Sequence, residues 1–309
     1  DATDQVPDRA INSGLIARFG NLGSSDHGHT FRYSVAGDGQ WSSAGTSTRV
    51  TAYLLRYGLN LFSNFTYYLD NPIHGDQFEQ EDRRWVSGGQ VTYRRLGRVG
   101  SINLQSAFGA NLRHDAIGNV ALYHAIQGQR TDAIRQDSVG QTSLGFFGQT
   151  EVEWSHKLRT TIGLRGDTYH FNVKGDNPLN PGKDTAGIVS PKFGAVIGPW
   201  KGTEFYANAG LGFHSNDVRG ATISVDPSSG DPVERVTPLA RARGAEAGLR
   251  TVAIRGMQST VSVWTLDFDS ELVFVGDAGT TEAGRPSRRH GIEITNYVRP
   301  HPWLTLDFD

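Results

Sequence analysis

The chain has 309 residues and a formal net charge of −2, with a pI of about 6.6, which excludes the strongly basic surface of a nucleic-acid-binding protein. It contains no cysteine, which excludes disulfides and thiolate-metal chemistry and suits an envelope compartment where stray thiols would oxidise. Mean hydropathy is −0.42 and no apolar run approaches the length of a helical span, yet a transmembrane barrel, which spends only alternate residues on lipid, remains open.

The elements follow in chain order. Short apolar alternations occur at Gly14–Gly20 and Phe31–Gly37. In Thr48–Leu69 the residues Tyr53, Leu55, Tyr57, Leu59, Leu61, Phe65, Tyr67 and Leu69 share one parity, with Arg56, Asn60, Asn64 and Thr66 on the other. That unbroken period predicts one strand of about 70 Å rather than a hairpin turning near Gly58. In Ser101–Arg113, Ile102, Leu104, Phe108, Ala110 and Leu112 oppose Asn103, Gln105, Asn111 and Arg113. Ser143–Ser155 sets Leu144, Phe146, Val152 and Trp154 against Gln149, Glu151 and Glu153. In Leu158–Phe171, Leu158, Ile162 and Leu164 oppose Arg159, Arg165 and Asp167. Thr203–Asp217 places Phe205, Ala207, Ala209, Leu211 and Phe213 opposite Glu204, Tyr206, Asn208 and His214. A helix would scatter these sets around its axis; a strand holds each on one face. In Gln258–Phe274, Val261 and Val263 fit one parity, whereas Trp264, Leu266 and Phe268 fit the other, which predicts a bulge. Gly291–Arg299 and Leu304–Asp309 resume the alternation.

The connections alternate in length. Short links fall at 96–100, 156–157, 198–202, 252–256 and 300–302; long ones at 70–82, 114–137, 172–188, 215–238 and 275–288. Short turns at one end and long loops at the other are the arrangement of an outer-membrane barrel, with turns periplasmic and loops outside. Trp154, Trp200 and Trp303 sit beside short turns and Trp41 belongs to the same end, as expected of an indole girdle at a headgroup layer. The fold class expected is therefore all-β: an antiparallel transmembrane β-barrel, of which about thirteen strands of about 22 are present. An incomplete sheet leaves bare edges, so the missing strands are expected on both sides of an excerpted single barrel domain.

Several stretches resemble TonB-dependent outer-membrane receptors: LFSNFTYYLDNP at 61–72, GDQFEQEDRR at 75–84, SPKFGAVIG at 190–198 followed by TEFYANAGLGFHSNDVRGA, PLARARGAEAGLR at 238–250, LDFDSELVFVGDAGTTE at 266–282 and RRHGIEI at 288–294. The resemblance covers residues from about 14 to 309. It implies a monomeric receptor in the outer membrane of a Gram-negative bacterium, in contact with outer-membrane lipid and lipopolysaccharide. Such a receptor takes up a scarce ligand actively, through the TonB complex acting on a plug. It implies no resident cofactor, and a ferric siderophore as the leading cargo, with cobalamin, copper or zinc chelates and oligosaccharides as alternatives. No plug, TonB box or aromatic C-terminal strand end is visible between Asp1 and Asp309.

A ligand site should combine inward wall residues with the long loops. Arg113, Asp115, Arg135 and Asp137 border the 114–137 loop; an arginine pair can hold an anionic chelate, or these charges can pair across adjacent strands or with a plug. His214, Asn216, Asp217 and Arg219 head the 215–238 loop and are either ligand contacts or a capped turn. Tyr169 and Tyr206 can stack on an aromatic chelate or pack the wall. His27 and His29 raise a metal reading, but a third ligand is missing and no metal site is assigned. No nucleophile elbow or phosphate loop is present, so no catalytic residues are assigned. The competing readings are a passive porin, a barrel-borne enzyme and a soluble adhesive sandwich.

Overall fold

A computed structural model describes residues 6–275 and 280–308. After a short helix, α1 (Asp8–Asn12), twelve strands form one antiparallel sheet in chain order. They are β1 (His27–Ser43), β2 (Thr46–Ser63), β3 (Phe78–Val99), β4 (Ile102–Ile126), β5 (Gln129–Ser155), β6 (Leu158–Gly175), β7 (Gly182–Trp200), β8 (Thr203–Ser215), β9 (Leu239–Thr251), β10 (Met257–Phe268), β13 (Ser287–His301) and β14 (Leu304–Phe308). Between β10 and β13, a separate hairpin pairs β11 (Leu272–Val275) with β12 (Thr280–Ala283). A second short helix, α2 (Val218–Thr222), lies in the connection from β8 to β9. The twelve-stranded sheet is not closed: β1 and β14 pair with no other strand at their free sides among the described residues.

The pairing register sorts the side chains into two faces. One row runs Tyr53, Gly88, Arg113, Ser143, Tyr169 across β2 to β6. This face also carries Asn111, Arg165 and Asp167, joined by hydrogen bonds, and continues through Arg159 to Glu204 on β8. It is the polar face. The opposite face presents Phe108, Leu112, Phe146, Ile162, Leu164, Phe193, Phe205 and Ile294 to the surroundings, all about half exposed or more. So large an apolar surface on one side of a sheet requires a non-aqueous neighbour. Trp41, Trp154, Trp200 and Trp303 are exposed at the short-turn end. The Trp154 indole donates to Thr160 Oγ1 at 2.8 Å, which keeps its N–H satisfied beside apolar surface.

Several expectations need correction, among them the long 172–188 connection, which shrinks to 176–181 because β6 runs to Gly175 and β7 starts at Gly182. Residues 114–137 are not a loop: β4 and β5 continue through them to a two-residue turn at Gln127 and Gly128, whose φ values of 50° and 76° are both positive, the geometry that suits a tight hairpin. The polar residues there are strand residues that project beyond the apolar band. Gly14–Gly20 forms turns rather than a strand, while Phe31–Gly37 lies within β1. The strand expected over Thr48–Leu69 is single, with no turn at Gly58, but ends at Ser63, where Asn64 binds the Tyr67 amide and carbonyl and folds the chain back. Its parity is inverted: Tyr53, Leu55 and Tyr57 stand on the polar face, and Val50, Leu54 and Arg56 on the apolar one. Aromatic and aliphatic residues at alternate positions do not tell lipid from lumen when the polar face also carries tyrosine.

The bulge expected in β10 is absent, since its ladders to β9 and β13 run without a register shift. Trp264 stays on the polar face because Gly291 opposite has no Cβ to meet its ring, which lies 2.8 Å from where one would be. Register breaks occur instead at Arg83/Arg84 and at Ile117/Val120. The predicted 275–288 loop lies partly outside the described residues.

Candidate functional site

The long-loop end of the polar face is shaped by two devices. The first is a repeated spacing. Arg113 and Asp115, Arg135 and Asp137, and Arg165 and Asp167 are each two residues apart on one strand, and so share a face. Arg113 donates from Nε and Nη2 to Asp115 at 2.8 and 2.7 Å, and Arg165 from the same atoms to Asp167 at 2.7 and 2.5 Å. Arg135 donates to Asp137, with both side chains almost wholly buried, and Arg84 to Asp82. Each is a charge-assisted pair held along its own strand, not across neighbouring strands as one sequence reading had it.

The second device is the 216–238 connection, which folds back onto the wall. Asp217 caps α2 by accepting the Arg219 amide at 2.9 Å, and its carboxylate takes the Arg219 guanidinium at 2.6 Å. Arg219 also lies 3.9 Å from Asp137. Burial raises the Asp217 carboxyl, but the adjacent Arg219 charge and hydrogen bonds outweigh that and hold it below the usual carboxylate range. Val218 from α2 packs into a buried cluster with Val139, Phe171 and Val173 of the wall, flanked by Ile117, Val120 and Ala221. Asn216 is buried, with its amide group donating to the Thr237 carbonyl at 2.7 Å and its backbone N–H to Pro238 at 2.9 Å.

The fold thus brings Arg135, Asp137, Asp217 and Arg219 into one ion network. Arg84 lies within the electrostatic range of Asp115 and Asp217 and links that network toward Arg113. Tyr169 stands on the same face, edge-on to Phe213 with ring centroids 6.0 Å apart. Phe213 therefore leaves the apolar row it shares by parity, at a height where β7 and β8 no longer pair. His214 meets the Phe268 ring at 5.8 Å. Tyr206 is separate: it lies toward the short turns, opposite Val196, and donates its hydroxyl to Glu246 at 2.7 Å. His27 stacks on Phe62 at 4.6 Å, and among the described residues no group of three His, Asp or Glu side chains is placed to hold a metal.

Sequence reasoning set Arg165 and Asp167 on the polar parity without giving them a site role, and missed Asp82 and Arg84, and Lys192. The two-residue Arg/Asp spacing would have found the first two pairs. Lys192, on the polar face opposite Gly163 and Gly210, forms no ion pair among the described residues; only the pairing register exposes it. Gln149, Arg165, Ser190 and Lys192 line a recess of about 480 Å³ on that face.

The model of the TonB-dependent receptor-like β-barrel matches residues 2–309. No curated protein sequence matches the chain. Among solved structures, the ferric citrate transporter FecA in its unliganded form superposes with a TM-score of 0.75 at 12% identity, over 96% of this chain and 43% of that one. The ferric preacinetobactin receptor BauA of Acinetobacter baumannii gives 0.68 at 14%, over 89% and 43%. The copper transporter OprC gives 0.67 at 15%, over 92% and 47%. The chain therefore spans less than half the length of these proteins, and at such identities the likeness is one of fold. With its alternating short turns and long connections, its two-faced sheet and a family match along nearly its whole length, the chain belongs to the TonB-dependent receptor β-barrel family.

Proposed function

We propose that this chain is part of the barrel wall of a receptor in the outer membrane of a Gram-negative bacterium, taking up a scarce metal chelate, with a ferric siderophore as the cargo. The polar face lines the lumen, the apolar face meets lipid, and the long connections face the medium. The observation that carries this reading is the loop-end ion network, in which a long connection is docked onto the lumenal wall by Arg219, Asp137 and α2. A connection docked there narrows the lumen at the loop end, where a receptor has to hold its ligand before passage.

Mechanistically, the ligand would meet Tyr169, His214 and the 216–238 connection first. Arg113, Arg135 and Arg219 are each neutralised by a carboxylate, so an anionic chelate must share or displace those partners. Lys192, on the polar face opposite Gly163 and Gly210, has no such competitor among the described residues. Passage then requires movement of a plug driven through TonB, and the receptor acts as a monomer. The experiment is uptake of iron-loaded and copper-loaded chelates by cells carrying the full-length receptor, with and without TonB. Uptake of the ferric chelate that vanishes without TonB is expected; unchanged uptake overturns the energy-coupled reading, and copper-restricted uptake overturns the cargo.

A further inference from the structure

The apolar face changes character at its loop-side margin. Leu112, Leu144 and Leu164 mark the last apolar positions on β4, β5 and β6. Two rows further toward the loops, the register aligns Arg56, Trp85, Ala116, Gly140, Asn172 and Lys183 across β2 to β7. Ala116 and Gly140 leave the middle of this row nearly without side chains. The result is a trough of about 600 Å³, with Phe31, Arg56 and Trp85 among its lining residues and Arg83 and Lys174 there as well. The register breaks at Arg83/Arg84 and Ile117/Val120 shape its floor.

On the polar face Arg49, Arg84, Arg113, Arg135 and Arg165 each hold a carboxylate. Arg56 has none among the described residues; its guanidinium lies over the Phe31 ring at 5.8 Å and the Trp85 ring at 5.4 Å. Lys174 likewise forms no ion pair among the described residues, whereas Arg83 is paired with Glu81 at 2.6 Å. Two rings clamp the Arg56 side chain and cost it rotamer freedom, while leaving donor N–H groups unused. A cation fixed in this way, beside apolar surface and facing a trough, is placed to take an anion from outside the chain. At the edge of a bilayer the available anions are lipid phosphates, which a guanidinium binds with two parallel donors.

We propose that this trough is a binding site for a phosphate-bearing lipid headgroup of the leaflet on the loop side, with Arg56 and Lys174 as the phosphate ligands and Trp85 and Phe31 holding Arg56 in place. The inference rests on the orientation given under the proposed function, which puts this margin at the outer leaflet. The site is distinct from the lumenal ion network, since it lies on the opposite face of the sheet.

The test uses the full-length receptor in phosphatidylcholine nanodiscs doped with either bisphosphorylated lipid A or its dephosphorylated form. Native mass spectrometry counts lipid retained per receptor. A preference of about 30-fold for the phosphorylated form is expected for two cations at a membrane surface. The double variant Arg56→Gln/Lys174→Gln should abolish it, and Arg49→Gln on the polar face should leave it intact, with heat-modifiable mobility confirming that each barrel is folded. Equal retention of both lipids, or equal loss in the Arg49 control, overturns the site. Displacement of the lipid by inorganic phosphate would make it a site for the free ion and overturn the lipid assignment. Orientation is read separately by labelling Ser228→Cys on intact cells with an impermeant reagent. Absence of labelling removes the outer-leaflet premise, whereas labelling without lipid preference removes the headgroup site alone.

Discussion

Arg219 in α2 lies 3.9 Å from Asp137 on β5, so a connection and the wall share one buried set of charges. Removing one partner leaves the other without its counter-charge in a poorly solvated place. Arg219→Ala is expected to cost about 3–5 kcal/mol locally. The loss should appear as faster amide exchange at Gly220 and Val236, whose backbone hydrogen bonds hold the connection together, with the strands unaffected. Unchanged exchange at these amides would show that the apolar cluster around Val218 holds the connection alone.

The 64–77 connection is organised by Asp76. Its carboxylate accepts the amides of Leu69 and Asn71, both at 2.7 Å, and of Asp70 at 3.2 Å. Partial burial raises the carboxyl, and these amides with the Thr66 side chain more than reverse that, so its pKa falls below the ordinary value of 3.8. A depressed acid contributes stability above its unfolded pKa and loses it as pH falls through the folded one. Protection of Leu69 and Asn71 amides, corrected for intrinsic exchange, should hold from neutral pH to about 4 and decline below. Asp76→Asn should lower protection at neutral pH and flatten that decline; a variant with the full pH dependence would refute the assignment.

Gly128 closes the β4–β5 hairpin with φ of 76°, and its amide donates to Gln77 Oε1 at 2.7 Å. A Cβ there would lie 3.1 Å from the His27 ring and force a left-handed side-chain residue. Gly128→Ala should cost about 1–2 kcal/mol and sharply increase protease nicking between Ile126 and Thr131. Because the hairpin tip stands clear of the apolar band, assembly of the barrel should be unaffected.

Phe146 and Phe147 are adjacent and face opposite ways, since strand side chains alternate. Phe146 is 60% exposed on the apolar face. Phe146→Arg should cost about 2–4 kcal/mol of barrel stability in lipid and reduce the folded, heat-modifiable species. Phe147→Arg faces the lumen and should leave that species at wild-type level while changing uptake. The opposite ranking would reverse the assignment of the two faces.

The sheet was legible in the sequence because lipid and lumen impose a period of two, visible in Ile102 to Leu112 and in Phe205 to Ala209. The face of β2 was not legible, because Tyr53 and Tyr57 are as aromatic as residues that meet lipid, and only pairing with Gly88 and Arg84 locates them. The β4–β5 hairpin was hidden because strand beyond a bilayer carries the composition of a loop; the Gln127–Gly128 dipeptide was its one local signal. Arg113, Asp115, Arg135 and Asp137 were visible as a charged group, but their partners depend on the two-residue spacing along each strand. The docking of Asp217 and Arg219 onto Asp137 depends on contacts between residues far apart in the chain, which periodicity does not encode.

The strands differ greatly in length: β5 has 27 residues, whereas β8 and β9 have 13 each. At about 3.3 Å per residue, one side of the wall rises roughly twice as high as the other. The rim is thus a parapet on the β4–β5 side and a low sill at β8–β9. The 216–238 connection springs from that sill and leans across to β5 and β6, so the folded connection and α2 roof the low side of the rim.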